Sequence, residues 1–146
     1  MKAYWLTASE CIDLSLGNLA TNGVIYSKHA VEDHREAIDA FKLKHGYVAE
    51  DVVELGPQTQ DLEQIRAKFR KEHLHSDDEV RYVLDGEGIF DIRSTDDCWM
   101  RVFVTPGDLI VVPKDRYHRF MLLPGMSIKA LRLFMDQAGW VPNYRQ

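Results

Sequence analysis

The chain has 146 residues, a length that fits one domain with a single core, and nothing in it suggests a second domain. Its formal net charge of -5 argues against a nucleic-acid or anionic-membrane partner, since both need a basic surface. Cys11 and Cys98 stand far apart and outside any CxxC pattern, and no apolar run approaches ~20 residues, so free thiols, buried or half-buried, in a cytoplasmic protein are expected rather than a secreted or membrane-spanning one.

The first half reads as mixed. A short strand is expected near Ala3 to Leu6, a short helix before Asn22-Gly23, and a strand over Val24 to Tyr26. In VEDHREAIDAFKLKHG the apolar residues Val31, Ala37, Ile38 and Phe41 recur at helical intervals, and Gly46 supplies the stop. A shorter helix is expected over Ala49 to Leu55, closed by Gly56-Pro57. TQDLEQIRAKFRKE then sets Leu62, Ile65 and Phe69 on one stripe, with Thr59 as cap and Asp61 and Glu63 in the first turn. The basic residues Arg66, Lys68, Arg70 and Lys71 read as a solvated helix face. These helices should form an outer layer, with His29, His34 and His45 at the surface.

From His73 onward the apolar period shortens to two, and turn residues recur at Asp85-Gly86, Thr95 to Asp97, Pro106-Gly107, Pro113 to Asp115 and Pro124-Gly125. Between them run EVRYVL, GIFDI, WMRVFV, LIVV, YHRFMLL and IKALRLFM. Six such strands, with one or two from the first half, suffice for a mainly β antiparallel barrel of the jelly-roll type, whose mouth is where a ligand cavity belongs. Residues 1–70 would form the mixed N-terminal part of this single domain and residues 71–140 the barrel.

The run EHLHSDDEVRYVLDG places His73 and His75 one residue apart, with Glu79 four positions on. If the segment is extended, strand parity puts all three on one face with Arg81 beside them, while Leu74, Val80, Tyr82 and Leu84 take the other. A further histidine, His118, follows the turn in GDLIVVPKDRYHRF. Imidazole nitrogen with carboxylate oxygen suits a borderline divalent ion, Fe, Ni, Co, Mn or Zn, better than Ca or Mg. An arginine inside a barrel is costly unless it meets an anion, so Arg81 is a candidate binder of an anionic substrate; a structural ion pair with Asp77, Asp78 or Glu72 is the alternative.

HLHSDDE with Gly86, and the segment from Gly107 through Pro113 to His118, resemble the paired motifs of the cupin superfamily. The wider match, from about Ile65 to Trp140, resembles the acireductone dioxygenase family through EHLH, DDEVRYVLDGEGIFDIR, CWMRVFV, GDLIVVP, YHRF and ALRLF. The resemblance implies a cupin double-stranded β-helix in which His73, His75, Glu79 and His118 hold one divalent metal, Fe2+ or Ni2+, with Co2+ or Mn2+ as further options. It implies that Arg81 and Asp78 serve catalysis, Asp78 as a partner that orients the ligands, and that Phe69, Phe120, Arg132 and Trp140 bind substrate. For the aromatic residues, ordinary core packing is the competing role. It further implies cleavage of the enediol 1,2-dihydroxy-3-keto-5-methylthiopentene by dioxygen in methionine salvage, in a monomeric protein. The iron form would give formate and 2-keto-4-methylthiobutyrate, and the nickel form methylthiopropionate, formate and carbon monoxide.

The turn ahead of His118 departs from the family pattern. Lys114-Asp115 stands where many members have Ala-Gly, which asks Asp115 to take a positive φ and sets two charges near the expected pocket rim. Two other readings follow: a cupin dioxygenase or isomerase acting on a related enediol or β-dicarbonyl, and a non-catalytic cupin that binds a metal or a small ligand.

Overall fold

The computed structural model describes residues 2–6, 11–135 and 143–144. In chain order the strands of the first half are β1 (Lys2–Leu6), β2 (Cys11–Asp13), β3 (Ile25–Lys28) and β4 (Ala49–Leu55). Those that follow are β5 (His73–Leu74), β6 (Glu79–Gly86), β7 (Gly88–Arg93), β8 (Trp99–Val104), β9 (Asp108–Val112), β10 (His118–Met121), β11 (Ile128–Phe134) and β12 (Asn143–Tyr144). The helices are α1 (Leu16–Thr21), α2 (His34–His45) and α3 (Leu62–Arg70), with a 3-10 turn at Val31–Asp33 ahead of α2.

The strands form two antiparallel sheets, one ordered β12-β5-β10-β7-β8-β1-β2 and the other β3-β9-β6-β11-β4. This is the mainly β jelly-roll architecture expected from the strand rhythm. Between the sheets lies one core, built from Ile92, Met100, Val102 and Val104 on β7 and β8 and from Val83, Ile110, Val112 and Ala130 on β6, β9 and β11. The outer face of the second sheet carries its own cluster, where Val80, Tyr82, Leu109, Val111, Leu131 and Leu133 pack with Ile38 of α2. Alternation along β6 feeds both layers, because successive side chains leave a strand on opposite sides.

Local chemistry explains several boundaries. Gly46 ends α2 with φ 80, its N–H donating to the Lys42 carbonyl. At the corner of β6 and β7, Gly86 has φ 78, and a Cβ there would sit 2.1 Å from the Ser127 carbonyl oxygen, so no other residue fits. Asp108 at the start of β9 is fully buried and accepts from Thr105 N and the Tyr26 hydroxyl, which fixes the Gly107 turn. Among the described residues, no helix is long and apolar enough to cross a membrane.

The structure corrects four expectations. Ala49 to Leu55 is not a helix but β4, paired along its whole length with β11, and the gain from that long-range ladder outweighs a local composition of Ala, Glu and Leu. Thr59 does not cap α3; its hydroxyl accepts from Gly56 N, and the helix starts behind Asp61, which has φ 58. Cys98 is exposed rather than half-buried. His29 and His34 are half-buried beside Tyr82, whose hydroxyl donates to the His29 carbonyl, whereas His45 is exposed.

Candidate metal centre

His73 and His118 are direct cross-strand partners on β5 and β10, so pairing alone brings their rings to 4.5 Å between centroids. His75 lies just past β5, with its ring 5.0 Å from His73 and 5.2 Å from His118. One ligand nitrogen from each of the three falls within 4.8 Å of the others, a spacing that can close on a single ion. All three rings are at most 6% exposed.

Glu79 reaches this cluster from the other sheet, as the first residue of β6. Its Oε1 lies 3.5 Å from His75 Nε2 and its Oε2 3.2 Å from His118 Nε2. The single-strand parity argument therefore fails between positions 75 and 79. The chain bends at Ser76-Asp77 and changes sheets, so the ligands converge across the barrel instead of along one strand. Parity does hold within β6, where Glu79 and Arg81 point inward together.

The tautomers are set by backbone oxygens. His73 Nδ1 lies 2.6 Å from the Lys71 carbonyl and His118 Nδ1 lies 3.0 Å from the Arg116 carbonyl. Those contacts place the proton on Nδ1 and turn the Nε2 lone pair toward the centre, as is usual where a backbone carbonyl orients a metal-binding histidine. His118 Nε2 is buried and accepts no hydrogen bond from the described residues, an orphaned donor atom that an ion would satisfy. Three imidazoles and one carboxylate on two sheets thus fit a borderline divalent cation.

Electrostatics ready His73 and Glu79 as ligands, whereas at His118 burial is outweighed by the pull of the Glu79 carboxylate, which raises the imidazole above its usual value, so a metal would displace a proton there. Burial pushes the His73 imidazolium down to about 4, so its ring is neutral at neutral pH. Burial opposes charge on Glu79, yet the Arg81 guanidinium and then His118 hold its carboxyl well below the usual range. Burial also depresses Arg81, and the Glu79 carboxylate opposes that shift.

Arg81 is 8% exposed and donates to Glu79 Oε1 at 2.7 Å and to the Val80 carbonyl at 3.1 Å. Its carboxylate neighbour is therefore Glu79, while Glu72 pairs with Arg93. Asp78 takes a different place: its Oδ1 accepts from Lys114 N at 2.7 Å, and the next amide, Asp115 N, donates to the His75 carbonyl at 2.8 Å. These two bonds clip the second-motif turn to the loop carrying His75. Asp115 adopts φ 59, the left-handed conformation that asparagine and aspartate tolerate best after glycine.

Beside the cluster runs a cavity lined by both polar and apolar side chains. His73, Glu79, Arg81, His118 and Arg132 line its polar end. Phe69, Phe90, Phe120, Val53, Leu55 and Ile128 line much of the rest. Phe69 of α3 meets Phe120 edge-on at 6.0 Å, so the helix closes one wall. Arg132 contributes to the lining while its Nε donates to Asp51 Oδ1 at 2.7 Å. Asp78, Lys114 and Asp115 are not among the lining residues, and Trp140 lies outside the described residues. Sequence reasoning missed Val53 and Leu55 because it made β4 a helix; their i, i+2 spacing was the available signal.

A double-stranded β-helix with three histidines converging on one point defines a cupin with a candidate metal site. Residues 12–142 match the ARD/ARD' family. An acireductone dioxygenase of Heterostelium pallidum is 39% identical over 145 residues, covering 99% of this chain and 98% of the relative. One from Dictyostelium discoideum is 40% identical over 147 residues, covering 99% of each. Among solved structures, acireductone dioxygenase from Bacillus anthracis, with a cadmium ion in its active centre, superposes with a TM-score of 0.88 at 30% identity, covering 98% of this chain and 97% of that one. The chain belongs to the acireductone dioxygenase family and is an enzyme of that family.

Proposed function

We propose that this enzyme is a metal-dependent dioxygenase that cleaves acireductone, 1,2-dihydroxy-3-keto-5-methylthiopentene, with dioxygen in methionine salvage, acting as a cytoplasmic monomer. The observation that carries this reading is the two-ended cavity: a cationic and metal-ligating end continuous with an apolar one. An enediolate with a thioether tail has the same division of polarity.

His73, His75, His118 and Glu79 would hold the metal. Bound at such donors, a divalent ion would supply a Lewis acid for an enediolate and a centre for dioxygen chemistry. Arg81, already buried at the polar end, supplies a fork of donors for the enediolate oxygens and so orients the anion. Arg132, held by Asp51 in a bidentate pair, lines the same wall. Phe69, Phe90 and Phe120 receive the tail and keep water from it. Asp78 acts through backbone, holding the turn whose Asp115 amide fixes the His75 carbonyl.

The products follow from which carbon–carbon bonds break. Cleavage of one such bond with both dioxygen atoms incorporated gives formate and 2-keto-4-methylthiobutyrate, assigned to the iron form. Cleavage of two gives formate, carbon monoxide and methylthiopropionate, assigned to nickel. The alternative enediol reading drew on Lys114-Asp115 at the pocket rim, and neither residue lines the cavity. Metal analysis of purified protein, joined to dioxygen uptake and product masses with iron or nickel loaded, tests the proposal. Uptake above the metal-free background with these products is expected; full turnover by metal-free protein overturns it.

A further inference from the structure

Gly88, the first residue of β7, is buried and pairs with Val104. Unlike Gly86, it has an ordinary φ, so its backbone would admit any residue. Glycine inside a strand weakens it and marks a site of close approach. Here the approaching group is a side chain of the cavity wall. A Cβ on Gly88 would meet Phe120 Cε2 and Cζ at 2.6 Å and Ile128 Cδ1 at 3.1 Å. Phe120 therefore occupies the volume that any other residue at position 88 would need.

The ring has little room to retreat. Phe90 flanks it at 4.9 Å between centroids and Phe69 meets it edge-on at 6.0 Å. Packed interiors do not absorb such an overlap without moving a side chain. With Phe90 and Phe69 on its flanks and Gly88 behind it, the direction left is the cavity that Phe120 lines.

We infer that Gly88 is a positioning residue for substrate specificity: by leaving room for Phe120 it sets the depth of the apolar end and so the size of tail the enzyme accepts. This rests on the proposed binding of a tailed enediolate at the metal, and Gly88 itself touches no substrate. The position acts on tail fit and leaves the metal, Arg81 and the reacting atoms alone.

The test compares two metal-chelating probes on nickel-loaded protein by calorimetry, acetohydroxamate and its 4-(methylthio)butanoyl counterpart, which read the pocket without turnover. Kinetics with long- and short-tailed enediols run alongside and test the dioxygenase reading separately. In Gly88→Ala, affinity for the long probe should fall about tenfold or more, as for a methylene-sized misfit, with acetohydroxamate within twofold of wild type. KM for the long enediol should rise likewise with kcat little changed. Adding Phe120→Leu should remove the effect of Gly88→Ala, since the clashing ring is gone. Equal losses for both probes, no loss for either, or wild type showing no preference for the long probe overturns the inference. Should Gly88→Ala alone fail to fold, the double variant decides: it must fold with full metal content, and its failure places the crowding elsewhere and overturns the inference. Absence of dioxygen uptake by wild type with the tail effect intact would remove the reaction and keep the specificity element.

Discussion

The two faces of β6 are equally buried and made of opposite chemistry. Val80 and Tyr82, both fully buried, point outward beneath α2, while Glu79 and Arg81, 5% and 8% exposed, point inward beside the histidines. Burying the apolar pair stabilises the fold by about 1.5–3 kcal/mol per large side chain. Burying the ion pair does not, because desolvation of each charge costs several kcal/mol and the mutual attraction at best offsets it. Charge held at that depth for no gain in stability marks a binding surface, and the contrast separates the part of the sheet that folds the protein from the part that works.

The contrast is sharpest where one residue packed against each face, His118 of β10 or Ile38 of α2, is removed. His118→Ala should reduce activity and metal affinity by well over ~100-fold, since even indirect partners of metal ligands cost 10–100-fold. Elemental analysis should show the metal gone while circular dichroism shows the barrel intact. On the outer face, Ile38→Ala should cost about 2–5 kcal/mol in urea unfolding, as for other fully buried aliphatic truncations. The metal content of the remaining folded protein should stay as in wild type. If Ile38→Ala stripped the metal, the two faces would be one cooperative unit and the distinction would fail.

Arg81→Met probes the inward face without replacing a proposed ligand. It removes a charge-assisted contact worth about 1.5–3 kcal/mol, so kcat/KM for the enediol should fall roughly 10- to 150-fold. Metal should be retained. Loss of metal instead would mean that Arg81 serves mainly to hold Glu79 in its ionised form, the role its 2.7 Å contact with Oε1 also supports.

Much of this division was legible in the sequence, and its gaps have physical causes. Gly46 as a helix stop and the alternation of β6 are local signals, and local geometry decided them. AEDVVEL carries helix-forming residues and became a strand because β11 offered a partner for its full length, which no local window contains. The convergence of His73, His75 and Glu79 was expected along one strand, but the bend at Ser76-Asp77 delivers it from two sheets. The Asp78 carboxylate and the Asp115 amide each act on backbone groups, and Gly88 acts through an absent side chain, so what each of the three does is set by its tertiary neighbours and not by its residue type.

The outer layer also holds a polar clamp, and there the expected effect is smallest. Glu50 of β4 accepts from Arg35 at 2.7 Å and from Lys42 at 3.2 Å, tying the edge strand to α2. Burial opposes its charge, but the hydrogen bonds from Arg35 and Lys42 prevail and leave its carboxyl below 4.5. A carboxyl with a depressed folded pKa binds fewer protons than the unfolded chain, so its stabilisation is complete above about pH 4.5 and is lost as pH falls toward the folded value. Glu50→Gln should therefore lower stability by under ~1 kcal/mol at pH 7, the range of partly exposed pairs. The difference from wild type should vanish in acid denaturation below the folded pKa. A gap between the two proteins that persisted there would show that something other than the Glu50 charge separates them, and the clamp would not be electrostatic.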